Sequence, residues 1–376
     1  MCDAIYLDYN ATTPIDPIVA KAMLPFLSGV FGNPSSSHVF GSAARRAVEN
    51  ARDQVAEMLG SESEEIIFTS GGTESNNLAI RGFASANKDK GNHIITSAVE
   101  HPAVLEVCEY LARTGFDLTV LPVDHLGRIQ IADLEDAIRD DTILISIMHA
   151  NNEVGTIQPI QEIAQIAHSH NIMMHSDAAQ SIGKIPVAAE SLGVDLLSIA
   201  GHKLYAPKGI GALYVRKGIL LEKQTYGANH ERDLRPGTEN VLGIVGLGAA
   251  CELVSKNLIV YAEHYSAMRD LFEELLNREN LQIKINGDKV QRLPNTSSIG
   301  FKGEKANEII EKFKHIAVSA GAACHAENIT ISHVLRAMNV PEEYAQGTIR
   351  FSTGRETKST HIQNAVEQIT KVFGSV

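Results

Sequence analysis

Lys203 follows a short apolar run at 195–199, within Gly201-His202-Lys203, and the chain then breaks at Pro207 and Gly209. Those residues place Lys203 at the mouth of a buried strand. An isolated buried ammonium is costly and tends to shed its proton, and a neutral amine is what condensation with an aldehyde requires. A surface lysine in a turn is the plainer reading of the same residues. Cys324 sits in a run of small residues, Ser319-Ala320-Gly321-Ala322-Ala323-Cys324-His325. A segment with so little to pack can leave its thiol exposed, and His325 beside it favours the thiolate. Cys108 and Cys251 fall on helical patterns and read as small buried hydrophobes instead. Arg350 lies in a β-like run at 347–352 with apolar neighbours. Its guanidinium needs a carboxylate there, either a substrate's held bidentately or a structural ion-pair partner's.

Further polar clusters follow apolar runs. Ser70-Gly71-Gly72-Thr73-Glu74 leads into an apolar helix. Glycines let backbone N–H groups approach an anion, and a helix N-terminus favours negative charge. A phosphate cradle with the Thr73 hydroxyl is one reading, and a capped strand-to-helix turn is the other. His101 stands just before a helix, where it can cap, stack on a ring or move protons. Asn151 and Asn152 suit a polar ligand or a tight turn. Asp177, at a buried strand end, must be paired, and a protonated pyridine nitrogen is one such partner. His168 and His170 close a helix facing water, where a histidine suits the helix dipole; with His175 they do not read as a metal site.

These positions need a frame to hold them. Apolar runs at 66–69, 93–96, 118–121, 142–148, 172–175, 196–199 and 212–215 have strand length, and segments such as 103–113 and 160–170 between them have helical period. The alternation predicts an α/β fold with a mainly parallel central sheet and helices on both faces. Ligands of such sheets sit at the carboxyl ends of the strands. Residues 42–59 form a helix stopped by Gly60, and 226–240 form a long polar loop. Two helices are expected over 241–254 and 259–277, with a domain boundary near Ser255-Lys256-Asn257. Strands at 283–286, 296–301, 316–319 and 348–352, with helices at 306–313 and 361–373, complete a smaller α+β domain. The division expected is a large domain of 15–256 and a small one of 1–14 and 257–376, which carries Cys324 and Arg350.

A net charge of −12 argues against nucleic acid as a partner, because phosphate binding leans on excess Lys and Arg. No apolar run reads as bilayer-length, and Met1-Cys2-Asp3-Ala4-Ile5-Tyr6 has no signal-peptide pattern. The four cysteines form no Cys-x-x-Cys pair, which fits a reducing cytoplasm and disfavours zinc or an iron-sulfur cluster. A cytoplasmic enzyme without a metal is expected.

The chain resembles the cysteine desulfurase family, the NifS/IscS-type members of the class V aminotransferase group. The matching stretches run from Leu7-Asp8-Tyr9-Asn10-Ala11-Thr12-Thr13-Pro14 through Gly32-Asn33-Pro34, Phe68-Thr69-Ser70-Gly71-Gly72-Thr73-Glu74-Ser75-Asn76-Asn77, Asn151-Asn152-Glu153, Asp177-Ala178-Ala179-Gln180, Gly201-His202-Lys203 and Arg235-Pro236-Gly237-Thr238 to Arg350-Phe351-Ser352. The resemblance implies a fold type I pyridoxal-phosphate (PLP) enzyme that works as a homodimer. It implies that Lys203 binds the cofactor aldehyde, Asp177 keeps the pyridine nitrogen protonated, His101 stacks on the ring and Gln180 lies near the ring hydroxyl. Thr73, His202 and the backbone at Gly72 would hold the phosphate, with Thr238 reaching in from the other subunit. Arg350, helped by Asn33 and Asn152, would clamp the substrate carboxylate, and Cys324 would take sulfur from L-cysteine as a persulfide for an acceptor protein. Two departures stand out. Ala200 replaces a serine common in relatives, and Gly321-Ala322-Ala323-Cys324-His325 is closer to selenocysteine lyases, which makes L-selenocysteine the alternative substrate.

Overall fold

The computed structural model describes residues 4–320 and 331–373. Among these, seven strands form one sheet in the spatial order Ile66–Thr69, Gly211–Val215, Leu196–Ala200, Met173–Asp177, Thr142–Ser146, His93–Ser97, Asp117–Leu121. The strands from Leu196–Ala200 outward to Asp117–Leu121 pair in parallel, while Gly211–Val215 is antiparallel to both of its neighbours. The short link between Ala200 and Gly211 explains the reversal, since a parallel return needs a crossover of a dozen or more residues.

Most of these strands are buried along their whole length, as continuous apolar runs require. Their side chains alternate between two cores. Ile67, Ile94, Leu144, Leu196 and Leu213 pack on one side with the helices Gly72–Ala86 and Pro102–Arg113. Phe68, Ile95, Ile145, Leu197 and Ala212 pack on the other with Val39–Leu59, Ile160–Ser169 and the start of Val241–Arg278.

A second sheet, of four antiparallel strands, runs Ser319–Ala320, Thr348–Ser352, Thr296–Phe301, Ile283–Asn286. The strand expected over 316–319 is divided: Ile316–Ala317 pairs in parallel with Ile5–Tyr6, and Ser319–Ala320 pairs with Thr348–Ser352. This sheet packs on its own core, where Leu7, Phe272, Ile299, Phe351 and Ile362 meet.

The two helices expected over 241–254 and 259–277 are one helix, Val241–Arg278. Ser255 Oγ donates to the Cys251 carbonyl at 3.1 Å and Asn257 Nδ2 to the Leu253 carbonyl at 2.9 Å, so the polar cluster folds back on the preceding turn instead of breaking it. The expected division at 256/257 thus falls inside a continuous helix. That helix is also long and apolar enough to cross a bilayer, contrary to the reading of its sequence, but half of its apolar window is buried inside the protein. Gly248 sets its closeness to Val39–Leu59: a Cβ there would lie 2.7 Å from Ala51 Cα.

Candidate active site

The carboxyl ends of the sheet strands open into one cavity of about 190 Å³. Gly72, Thr73, His101, Asn152, Asp177, Gln180, His202 and Lys203 all line it, as do Asn76 and Ala200. Asp177 ends the strand Met173–Asp177, and Lys203 closes the short turn Gly201–Lys203 that follows the adjacent parallel strand Leu196–Ala200. Neighbouring strand ends therefore aim an acid and an amine into the same space. The helix Gly72–Ala86 begins at the cavity wall, and its first-turn N–H groups have no intrahelical acceptor. Gly211 lets that turn lie against the sheet, because a Cβ on it would meet Gly71 Cα at 2.7 Å.

The amine is tuned. Lys203 Nζ donates to the carbonyls of Asn10 and Ala11 at 2.5 and 2.9 Å. Burial, then the Arg350 charge, pull it down to about 8, against the pull of Asp177 and Asp8 the other way. Asp177 accepts from Asn76 Nδ2 at 2.7 Å and from the Ala179 N–H at 2.8 Å. Asn76 Oδ1 is left buried without a partner among the described residues. His101 caps the helix Pro102–Arg113, its Nδ1 accepting from the Ala103 N–H at 3.1 Å. In the neutral ring the proton must then sit on Nε2, and burial lowers its basicity, with the Lys203 charge acting the same way and Asp177 opposing. His202 is pulled down to about 4 by burial and then by Lys203 and Lys208, and its Nδ1 lies 3.2 Å from Thr12 Oγ1. A neutral His202 can donate to an anion without adding a charge.

Arg350 is buried beside the cavity and does not line it. It donates to the Asn152 carbonyl at 3.0 Å and to Asp8 Oδ1 at 2.9 Å, and its Nε has no partner among the described residues. Asn33 and Thr238 are not brought into this chain's cavity. Asn33 is exposed, its Oδ1 accepting from the Ser35 N–H at 2.9 Å, and Thr238 is exposed on its loop. Cys324 lies outside the described residues. Ala200 puts a methyl in the cavity wall, 3.3 Å from where a Cβ on Gly72 would stand. His168 pairs with Asp195 at 2.9 Å, and His175 is buried between Ser146 and Ser198, its basicity pushed down to about 3 by burial. Among the described residues no group of three or more His, Cys, Asp and Glu could hold a metal ion.

Sequence reasoning missed Asn10, Asp8, Asn76 and Lys184. Asn10 gathers Lys203, Gln180, Lys184, Asn295 and Thr296 around its backbone and side-chain oxygens and its amide. Only for Asn76, one turn into a helix already read as a ligand cradle, did the spacing carry a signal.

The residues fit PLP on their own chemistry. The cofactor needs an amine of low basicity for its aldehyde, a buried carboxylate for its ring nitrogen and an anion site for its phosphate. Lys203, Asp177 and the Gly72–Thr73 helix start meet those needs around one space. An α/β sheet with this site at its strand ends defines a PLP enzyme of fold type I. Residues 5–365 match the aminotransferase class-V family, and the chain belongs to it.

Within that family the chain is similar to a cysteine desulfurase IscS from Dictyoglomus turgidum, 48% identical over 98% of this chain and 94% of the relative. Among solved structures it resembles a NifS-like protein, with a TM-score of 0.93 and 37% identity over 98% of this chain and 99% of the other. It also resembles SspA in complex with cysteine, with a TM-score of 0.82 and 39% identity over 93% of this chain and 98% of the other.

Proposed function

We infer that the chain is a PLP-dependent cysteine desulfurase, which converts L-cysteine to L-alanine and passes the sulfur on. The observation that carries the reading is the pairing of a low-basicity Lys203 with a buried Asp177 at adjacent strand ends, facing one cavity. The cysteine desulfurase relatives, which align over nearly the whole chain, supply the substrate.

When bound, PLP supplies an aldehyde for the amine and a ring that accepts electron density from the substrate Cα. This chain's residues do the rest. Asp177, held by Asn76, would keep a proton on the ring nitrogen. His101 and Gln180, which line the same cavity, would hold the ring. Thr73, His202 and the Gly72 backbone would hold the phosphate, and Thr238 would complete the phosphate site of the neighbouring copy in a homodimer. Arg350, with Asn152 and Asn33, holds the α-carboxylate. Lys203 takes the Cα proton and returns it. Cys324 thiolate would form an S–S bond to the substrate sulfur as the Cβ–S bond breaks with its electron pair left on carbon; Cβ takes up the proton that the substrate thiol gives up, leaving alanine and a Cys324 persulfide. An acceptor protein then takes that sulfur for iron-sulfur cluster or thiocofactor assembly in the cytoplasm, where a reducing pool keeps the thiol free.

The test is turnover of L-cysteine by the PLP-loaded protein, with alanine and sulfide both measured in the presence of a thiol. Equal yields of the two products are expected. Negligible alanine from L-cysteine beside brisk alanine from L-selenocysteine would replace this reading with a selenocysteine lyase.

A further inference from the structure

Lys184 is a buried lysine that the reaction above leaves unused. It stands four residues after Gln180, past the end of the strand that carries Asp177. Its Nζ donates to Gln180 Oε1 at 2.8 Å and to Asn10 Oδ1 at 2.9 Å, so both partners are neutral amides. Burial, with the Lys203 and Arg350 charges, holds it well below its usual basicity, and charged or neutral its Nζ has an N–H for each of those two oxygens.

The contact dictates which way Gln180 faces. The Asn10 backbone carbonyl can only accept, from Gln180 Nε2 at 3.0 Å, and that leaves Oε1 on the side of Lys184 Nζ, 2.8 Å away, to receive its hydrogen. Of the two N–H bonds on Nε2, one goes to Asn10, and the other remains for the cavity that Gln180 lines. We propose that Lys184 is a positioning residue: with the Asn10 carbonyl on the other amide atom, it holds Gln180 at both ends and so gives the cavity a fixed N–H donor. The proposal rests on the reading of the cavity as a PLP site, where such a donor would favour an anionic oxygen on the ring.

Without the amine, Gln180 Oε1 loses its donor, and Asn10 Oδ1 keeps only Asn295 Nδ2, at 3.0 Å. Gln180 is then held only through Nε2 on the Asn10 carbonyl, and its second N–H is no longer fixed toward the cavity. The groups facing Lys203 besides Lys184 are Asp177, Asp8, Arg350, His101 and His202. None of these is changed in the variants below.

The test is a pH titration of the visible absorption band of the PLP-loaded protein, without substrate. Lys184→Met should raise the midpoint by about one pH unit, because a ring oxygen that loses its donor leaves the neighbouring nitrogen more basic. Gln180→Glu, which pairs with Lys184 and offers only acceptors, should move it the same way. Placed on Gln180→Ala, Lys184→Met should add no more than about 0.3 pH unit, since a residue acting through another has nothing left to act through. An unmoved midpoint in PLP-loaded Lys184→Met overturns the proposal, as does a full additional shift in the double variant, which would mark a bare charge effect. Should Lys184→Met fail to fold, an unmoved midpoint in Gln180→Glu overturns it equally. Wild-type protein that develops no band with PLP removes the cofactor reading and this proposal together.

Discussion

Arg350 Nη2 donates to the carboxylate of Asp8 at 2.9 Å, and the other Asp8 oxygen accepts from Ser319 Oγ at 2.9 Å. The guanidinium proposed for the substrate is thus already neutralised by the chain itself, while its Nε stays free of a partner among the described residues. A substrate carboxylate must share the fork with Asp8 or displace it. Arg350→Lys keeps the charge that Asp8 needs and loses the planar fork. It should raise KM for L-cysteine by about 10–100-fold, equivalent to roughly one charge-assisted hydrogen bond, with PLP binding unchanged. Steady-state kinetics beside a PLP titration check both halves.

The basicity of Lys203 makes a pH prediction with a definite sign. Its pKa is lowered to about 8, first by burial, so the neutral amine is scarce below that pH and dominant above it. Only the neutral form attacks an aldehyde. PLP uptake by the apo-protein should therefore quicken as pH rises through about 8 and then level off. Stopped-flow mixing at a series of pH values reads this directly. A midpoint near 10 would mean that the amine is solvated. Lys203→Ala should show no uptake band, and its turnover should fall by about 10²–10⁴.

Much of this site was legible because a buried parallel strand reads as an unbroken apolar run, and whatever polar residue ends it stands at the ligand edge. Asp177 and Lys203 were found that way, as were Thr73 and His101 just beyond their strands. Asn10 and Lys184 were invisible for the opposite reason. Their contact joins positions 174 apart in the chain, and no local period predicts it. Asn33 and Thr238 sit on exposed loops, where periodicity says nothing about what lies opposite. The helix Val241–Arg278 was misread as two because Ser255-Lys256-Asn257 looks like a turn cluster; contacts on both sides carry the helix through it.

The part given to Cys324 is proposed from sequence alone, because the residue lies outside the described residues. If its thiolate takes the sulfur, Cys324→Ala should bind PLP with wild-type affinity and still change its spectrum on adding L-cysteine. Alanine formation should drop by at least about a hundredfold, the usual cost of deleting a nucleophile. No persulfide should then be trapped by alkylation and mass spectrometry, whereas wild-type protein should carry a single labelled sulfur at this position. Undiminished alanine release from the variant would assign the nucleophile elsewhere.

The loop carrying Thr238 contains three successive non-glycine residues at positive φ, Glu231, Arg232 and Asp233, at 43°, 56° and 63°. A left-handed turn costs roughly 1–2 kcal/mol per residue, so something must hold it. The Glu231 carboxylate accepts from Arg52 at 2.7 and 2.9 Å and from the Phe68 N–H at 2.7 Å, all buried. Phe68 belongs to the strand that leads into Gly72 and Thr73, so one carboxylate ties the loop to the start of the proposed phosphate cradle. Arg235 adds a second tie, donating to Glu74 at 3.0 Å. Glu231→Gln leaves the Arg52 guanidinium buried with Glu49 as its remaining acid. It should cost about 3 kcal/mol, the low end for breaking a buried pair, seen as a lower denaturant midpoint at unchanged slope. PLP should also bind more weakly, because the strand end and the loop lose their common anchor. A variant as stable as wild type would show that the strained turn is held by other contacts.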